Sequence, residues 1–363
     1  MIICEKCFCD TEVISIIRSK KEIGYCPQCK SKNVYIYDTN KYDDLNILFD
    51  DFLSIYTPSS QLPDSYPNSE TFLLKDELIE NWNIFNNKSK SEVYNIITSI
   101  CKEKYQYNAE LFDQPVGIQE LYDKEYLSNH SLLTTNSWDD FVEALETKNR
   151  FHTHYINLDL LERYCSYIRK PYKAGEIFYR CRISSKDGFN CEEMGAPPID
   201  KTADGRANAR GIRCLYLGDS LDTTIYETRV GAYDYVTVGM FELKKDIIVV
   251  DLKVIHQISP YIEGLDCLEY AINREHLNKI NDEMSKIMRR SDSTLDYIPT
   301  QYITDFIKSI THDGMAEYDG IEYKSVMHGD GYNLAIFDPS LFKCVGTNVY
   351  RIDTIDYRKH SIK

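Results

Sequence analysis

Four cysteines near the start of the chain have the spacing of a metal site. Cys4-Glu-Lys-Cys7 and Cys26-Pro-Gln-Cys29 are two C-x2-C turns with 18 residues between them. Each turn aims two thiolates at one point, which is the arrangement of a tetrahedral zinc ribbon. Four unrelated thiols or an iron–sulfur site would use the same residues; zinc is the expected metal, in a structural role, and Cys9 is a bystander. A second concentration of polar residues lies far downstream. Gly205-Arg206-Ala-Asn208-Ala-Arg210-Gly211 sets two arginines and an asparagine between glycines. An arginine fork matches phosphate oxygens, and glycine lets a backbone approach an anion closely; a basic surface turn has the same composition. Tyr216 interrupts an apolar run just after it, and Glu227 follows on a helical pattern that Asp219 or Ser220 caps. Ser325 ends a strand-like run and Asn333 begins the next. Together these residues offer an anion-binding loop and a carboxylate on a neighbouring helix, although an isolated helical glutamate is more commonly a solvated one.

The elements that must position these groups fall into three expected segments, a zinc ribbon at 1–40, a helical domain at 41–168 and a catalytic domain at 170–350. In the ribbon, Glu12–Arg18 and Asn33–Tyr37 have the β-branched and aromatic content of strands. In the second segment Leu45, Leu48, Phe49, Phe52, Leu53 and Tyr56 recur at helical spacing. Ser89-Lys-Ser-Glu92 reads as a capping box, and helices are expected to start near Ser137 and to cover Leu158–Ile168, giving a helical bundle. The third segment has strand-like runs at Glu176–Ile183, Cys214–Leu217, Tyr235–Leu243, Ile247–Leu252 and Tyr332–Phe337. Helical patterns fall between them at Ser220–Val230, Leu265–Met288 and Pro299–Ile310, which predicts an α+β domain with a mixed sheet. Neither a G-x-G-x-x-G after a strand nor a P-loop is present, so those two routes to a nucleotide are closed.

Composition narrows the partners. A formal charge of −15 argues against tight binding of nucleic-acid backbone, which depends on lysines and arginines at phosphates. Small anions need only a few local cations. No run approaches the length of a membrane span, and the N-terminus lacks the pattern of a secretory signal. The expectation is a soluble, cytoplasmic protein with no membrane partner, its scattered cysteines reduced.

In their order, Phe178-Tyr-Arg180, Gly205-Arg206-Ala-Asn208, Leu215-Tyr216-Leu217, Thr224-Ile-Tyr-Glu227, Tyr323-Lys-Ser325 and Asn333-Leu-Ala-Ile-Phe337 resemble the RES family, over about 175–345. The resemblance implies an ADP-ribosyltransferase-like fold that consumes NAD, as the toxin of a pair restrained by an antitoxin or regulatory protein. It implies hydrolysis or phosphorolysis of NAD, with phosphate as a possible acceptor, or transfer of ADP-ribose to a protein. Arg206, Glu227 and Ser325 take the positions of the family's name-giving residues, Tyr216 that of the strand tyrosine and Asn333 that of the late asparagine. Arg180 and Asn208 join them as substrate-binding residues; Arg210 or Arg229 would supply the extra cationic contacts that a phosphate acceptor needs, or else pair on the surface. Gly-Arg-Ala-Asn departs from the familiar Gly-Arg-Trp-Asn and alters the pocket wall. The segment with Asn149-Arg150-Phe151-His152 resembles a HEPN-like region, but His152 and His154 follow Arg150 too soon for a HEPN ribonuclease. Two other classes compete with the enzyme: an RNA-associated zinc-ribbon module and a non-enzymatic interaction scaffold.

Overall fold

The computed structural model describes residues 1–134, 137–287 and 293–355. They form two compact units, Met1–Ser131 with Gln257–Arg274, and Leu132–His256 with Glu275–Lys363. The ribbon therefore shares a unit with most of the following helical segment, and only the end of that segment, from Leu132 to Ile168, falls in the second unit.

In the first unit the strand Val34–Asp38 pairs antiparallel with Ile2–Cys4 on one side and Ile23–Gly24 on the other. The stretch expected as a strand at Glu12–Arg18 is instead a helix, Thr11–Ser19. Asp10 decides this, because its carboxylate accepts the Glu12 and Val13 amides at 2.9 and 3.0 Å and caps the helix. Val13 and Ile17, four residues apart, then share the buried face. The expected capping box at Ser89 is present and starts the helix Lys90–Ile100, whose Val93, Ile96, Ile97 and Ile100 are buried. The helical segment also holds a small sheet of Thr57–Pro58, Pro115–Gly117 and Phe72–Leu73, which helical periodicity does not reveal.

The second unit is built on an eight-stranded sheet. Its strands are β1 Arg169–Tyr172, β2 Ile177–Ser184, β3 Leu215–Gly218, β4 Tyr235–Leu243, β5 Ile247–Asp251, β6 Gly320–Lys324, β7 Tyr332–Ile336 and β8 Phe342–Arg351. Their spatial order is β8-β4-β2-β3-β7-β6-β5-β1. Only β5 and β6 run parallel, and a parallel pair requires a long crossover. That crossover carries α2 Cys267–Met284, of which Glu275–Met284 belongs to this unit, and α3 Ile298–Ser309; α1, Leu221–Thr228, lies between β3 and β4. The expected helix to Met288 thus ends earlier, and Met288 itself lies outside the described residues. Strands β1 and β8 are additions to the expected list. A proline inside β1 hides its pattern, which suits its place at the sheet edge.

The pleat gives the sheet two functional faces. Phe178, Leu215, Leu217, Phe241, Val249, Leu334 and Ile336 bury one face beneath Met194 and Leu341. On the other, Cys181, Val236 and Val238 pack against Leu221 and Ile225 of α1. Each such aliphatic side chain removed from water contributes about 1.5–3 kcal/mol. This anchors α1 and fixes where Glu227 emerges.

Candidate active site

The candidate site forms where α1 ends beside β3, β7 and β6. Ser220 caps α1 through the Thr223 amide, while Asp219, the other expected cap, accepts the Tyr332 amide. The helix stops after Thr228 because Arg229 turns left-handed, at φ 52°. Glu227 is thus in the last turn, at the negative end of the helix dipole, where a carboxylate does not help the helix. Its charge is met from the sheet instead. Ser325 Oγ donates to Glu227 Oε1 at 2.5 Å, the Val326 amide donates at 3.1 Å and Asn333 Nδ2 at 3.2 Å. All three bonds converge on Oε1; among the described residues Oε2 has no hydrogen-bond partner. One oxygen is anchored and the other is free for a ligand.

Strand register explains why these groups converge. Asn333 pairs with Gly218 on β3 and with Tyr323 on β6, and Ala335 pairs with Tyr216. Directly paired residues share a face, so Tyr216, Asn333 and Tyr323 project from the same side. Gly218 admits α1 closely, since a Cβ there would stand 3.2 Å from the Thr224 amide nitrogen. Ser325 and Asn333 are nearly inaccessible, at 3% and 6%. Buried polar groups require partners, and Glu227 supplies one.

The arginine loop is organised by Tyr216. Its hydroxyl donates to Asn208 Oδ1 at 2.6 Å and accepts the Ala207 amide at 3.0 Å. Asn208 Nδ2 in turn donates to the Ala203 and Ala209 carbonyls. Gln301 of α3 donates to the carbonyls of Gly205 and Asn208 at 3.0 and 2.9 Å. Gly205 is required there, because a Cβ would lie 2.6 Å from both Asn208 Oδ1 and Tyr216 Oη. Arg206 then reaches the C-terminal end of α2, donating to the Glu283 carbonyl at 2.7 Å and the Lys286 carbonyl at 2.6 Å. Two of its five N–H groups are used this way, and among the described residues the others have no hydrogen-bond partner.

Tyr323 is a residue that sequence reasoning did not single out, although it stands in the quoted Tyr323-Lys-Ser325 run. Its hydroxyl makes no hydrogen bond among the described residues. Burial pushes its ionisation well up; the Arg206 charge opposes this and the Glu227 charge adds to it. Arg206 also acts on Tyr216, whose ionisation burial drives far above its usual value.

Arg180 is placed elsewhere. Tyr179 pairs with Gly218, so Arg180 points to the opposite face of β2, with Phe178. It donates to the carbonyls of Met194 and Gly195. Burial, with Arg182 nearby, pushes its ionisation down to about 10. The structure thus gathers Arg206, Tyr216, Glu227, Ser325 and Asn333, uses Asn208 to shape the loop, and sets Arg180 apart.

In the first unit the four expected cysteines meet. Sγ separations are 3.9 Å for Cys4–Cys7, 3.4 Å for Cys4–Cys29 and 3.7 Å for Cys7–Cys26, and all four sulfurs lie within 4.8 Å of one another. Zn–S bonds of about 2.3 Å in a tetrahedron place sulfurs about 3.7 Å apart, so the donor set fits that metal. A hydrogen bond from Cys7 holds the Cys26 thiol down, to about 5.

An α+β domain thus carries a helix-borne carboxylate held by Ser325, from the turn after β6, and by Asn333 of β7, with an arginine loop ordered by Tyr216 on the sheet face that Asn333 shares. The RES domain family model matches residues 177–357, and the chain carries a RES domain there, over about half its length. No curated protein and no solved structure matches the chain.

Proposed function

We propose that the protein cleaves the nicotinamide–ribose bond of NAD. The observation that carries this reading is Glu227, with Oε1 fixed by Ser325, Val326 and Asn333 and Oε2 without a partner among the described residues. The RES domain supports it, being consistent with an enzyme that acts on NAD. As the C1′–N bond breaks, its electron pair leaves with nicotinamide, which departs neutral, and positive charge develops on the ribose. Glu227 Oε2 holds a ribose hydroxyl and stabilises that charge without rearranging, because Oε1 is already anchored. The free N–H groups of Arg206 bind the diphosphate, and Tyr323 offers a hydroxyl beside them. Tyr216 spends its hydroxyl on the arginine loop and contributes its ring to the substrate wall.

The acceptor distinguishes a glycohydrolase, using water, from a phosphorylase, using phosphate; transfer to a protein side chain is the third form of the same chemistry. Incubation of the purified protein with NAD, with and without phosphate, followed by separation and mass analysis of the products, tests the reading. Nicotinamide release supports it, and the ADP-ribose product names the acceptor. Intact NAD under all conditions contradicts it.

Such an activity depletes its host, which fits a toxin held by an antitoxin and acting in the cytoplasm on NAD. Among the described residues no helix is long and apolar enough to cross a membrane. For the four-cysteine site we propose zinc in a structural role, holding a ribbon whose own core is small.

A further inference from the structure

We propose that His328 is a positioning residue for this site, and that its Nδ1 bond to Thr223 sets the Ser325–Glu227 pair. The inference rests on the NAD-cleaving reading for its kinetic consequence, and on geometry alone for its structural one.

The turn from Ser325 to Gly331 joins β6 to β7 and delivers Ser325 to Glu227. The turn closes on itself through the Ser325 amide on the Gly331 carbonyl at 2.9 Å and the Gly331 amide on the His328 carbonyl at 3.0 Å. The His328 amide donates to Ser325 Oγ at 3.1 Å. That hydroxyl thus takes one hydrogen bond from His328 and gives its own proton to Glu227. The position of His328 therefore sets the direction of the serine hydroxyl.

His328 is in turn fixed on α1. Its Nδ1 lies 2.8 Å from Oγ1 of Thr223, which is fully buried, and that hydroxyl is 2.9 Å from Ser220 Oγ at the helix cap. The imidazole also stacks on Tyr226, with centroids 5.4 Å apart and planes 12° from parallel. Gly331 keeps the contact tight, because a Cβ there would collide with Thr223 Oγ1 and lie 2.8 Å from His328 Nδ1. Thr223 and Glu227 are four residues apart, one turn along the same helix. The Nδ1–Thr223 bond consequently locks the serine-bearing turn to the helix that carries the carboxylate. Tyr226 is largely exposed, so the stack adds little of this rigidity.

Three substitutions separate the bond from the ring. His328→Asn retains a donor and an acceptor where Nδ1 stands; His328→Gln places its amide where Nε2 stands; Thr223→Val removes the partner hydroxyl and keeps the shape. Each variant is compared in full-length protein for nicotinamide release and for hydrogen-exchange protection of the Val326 and His328 amides. The expected result is a fall in kcat of about ten- to a hundredfold for His328→Gln and Thr223→Val, with KM nearly unchanged and both amides exchanging faster. His328→Asn restores most of the turnover and the protection. Asn behaving like Gln, or Thr223→Val behaving like wild type, overturns the proposal and leaves the ring itself as the active feature. Hydrogen exchange needs no turnover, so if the protein releases no nicotinamide the NAD reading fails while the positioning role is still decided.

Discussion

Glu227 and Ser325, 98 residues apart in sequence, meet at 2.5 Å, with the serine hydroxyl as donor and Oε1 as acceptor. Asn333 reaches the same oxygen from β7 at 3.2 Å. A carboxylate at a helix C-terminus is thereby stabilised by the sheet and left with one oxygen for chemistry.

Ser325→Ala and Asn333→Ala each remove one donor from Oε1. Both are expected to lower kcat for NAD cleavage by about ten- to a hundredfold, with little effect on KM, since what is lost is the aim of Oε2 rather than substrate contacts. Steady-state kinetics check this. A raised KM at unchanged kcat would show that these residues bind substrate instead.

Arg206 spends two N–H groups on the carbonyls of Glu283 and Lys286. Lysine keeps the charge but cannot serve two carbonyls and a diphosphate from one ammonium. Arg206→Lys is expected to weaken NAD binding at least tenfold, and to lower stability by about 1–3 kcal/mol through the lost bonds. Calorimetric titration and urea unfolding measure the two effects separately; full recovery of binding by lysine would contradict the fork.

Two neighbours on β6 make opposite predictions. Glu322 is completely buried, with Lys170 at 2.9 Å, Lys253 and the Tyr172 hydroxyl as partners, on the face away from the site. Glu322→Ala removes the shared partner of the half-buried Lys170 and Lys253, leaving Asp251 at 3.5 Å from Lys253, and is expected to cost about 1.5–3 kcal/mol of stability. Tyr323→Phe removes a hydroxyl without a partner and is expected to lower activity at unchanged stability. Paired denaturation and turnover measurements decide the assignment.

What was legible in the sequence follows physical range. The cysteine knuckles, the capping box at Ser89 and the main strands β2, β4, β5 and β7 are local signals, and the structure contains each of them. The helix at Thr11–Ser19 was misread because β-branched content outweighed the Asp10 cap. Arg180 shows the other limit. The family resemblance assigns it to the pocket, but the face on which it lies depends on Tyr179 pairing with Gly218 across the sheet, a long-range relation. Tyr323 was missed for the same reason, since only the pairing with Asn333 places it among the site residues.

The cysteine site predicts one zinc ion per chain. Metal analysis of purified protein is expected to give that stoichiometry, and Cys26→Ser to lower it and loosen residues 1–40 in hydrogen exchange. An iron signal, or retained ribbon protection after chelation, would contradict structural zinc.

The central claim is that Glu227 stabilises charge on the ribose, and the most direct measurement is kcat and KM for nicotinamide release by Glu227→Gln beside wild type. The amide keeps an acceptor for Ser325 and Asn333 and removes only the charge. The expected result is a fall in kcat of about a hundred- to a thousandfold, with KM changed by far less. Equal losses in turnover and binding, or a variant as active as wild type, would contradict it.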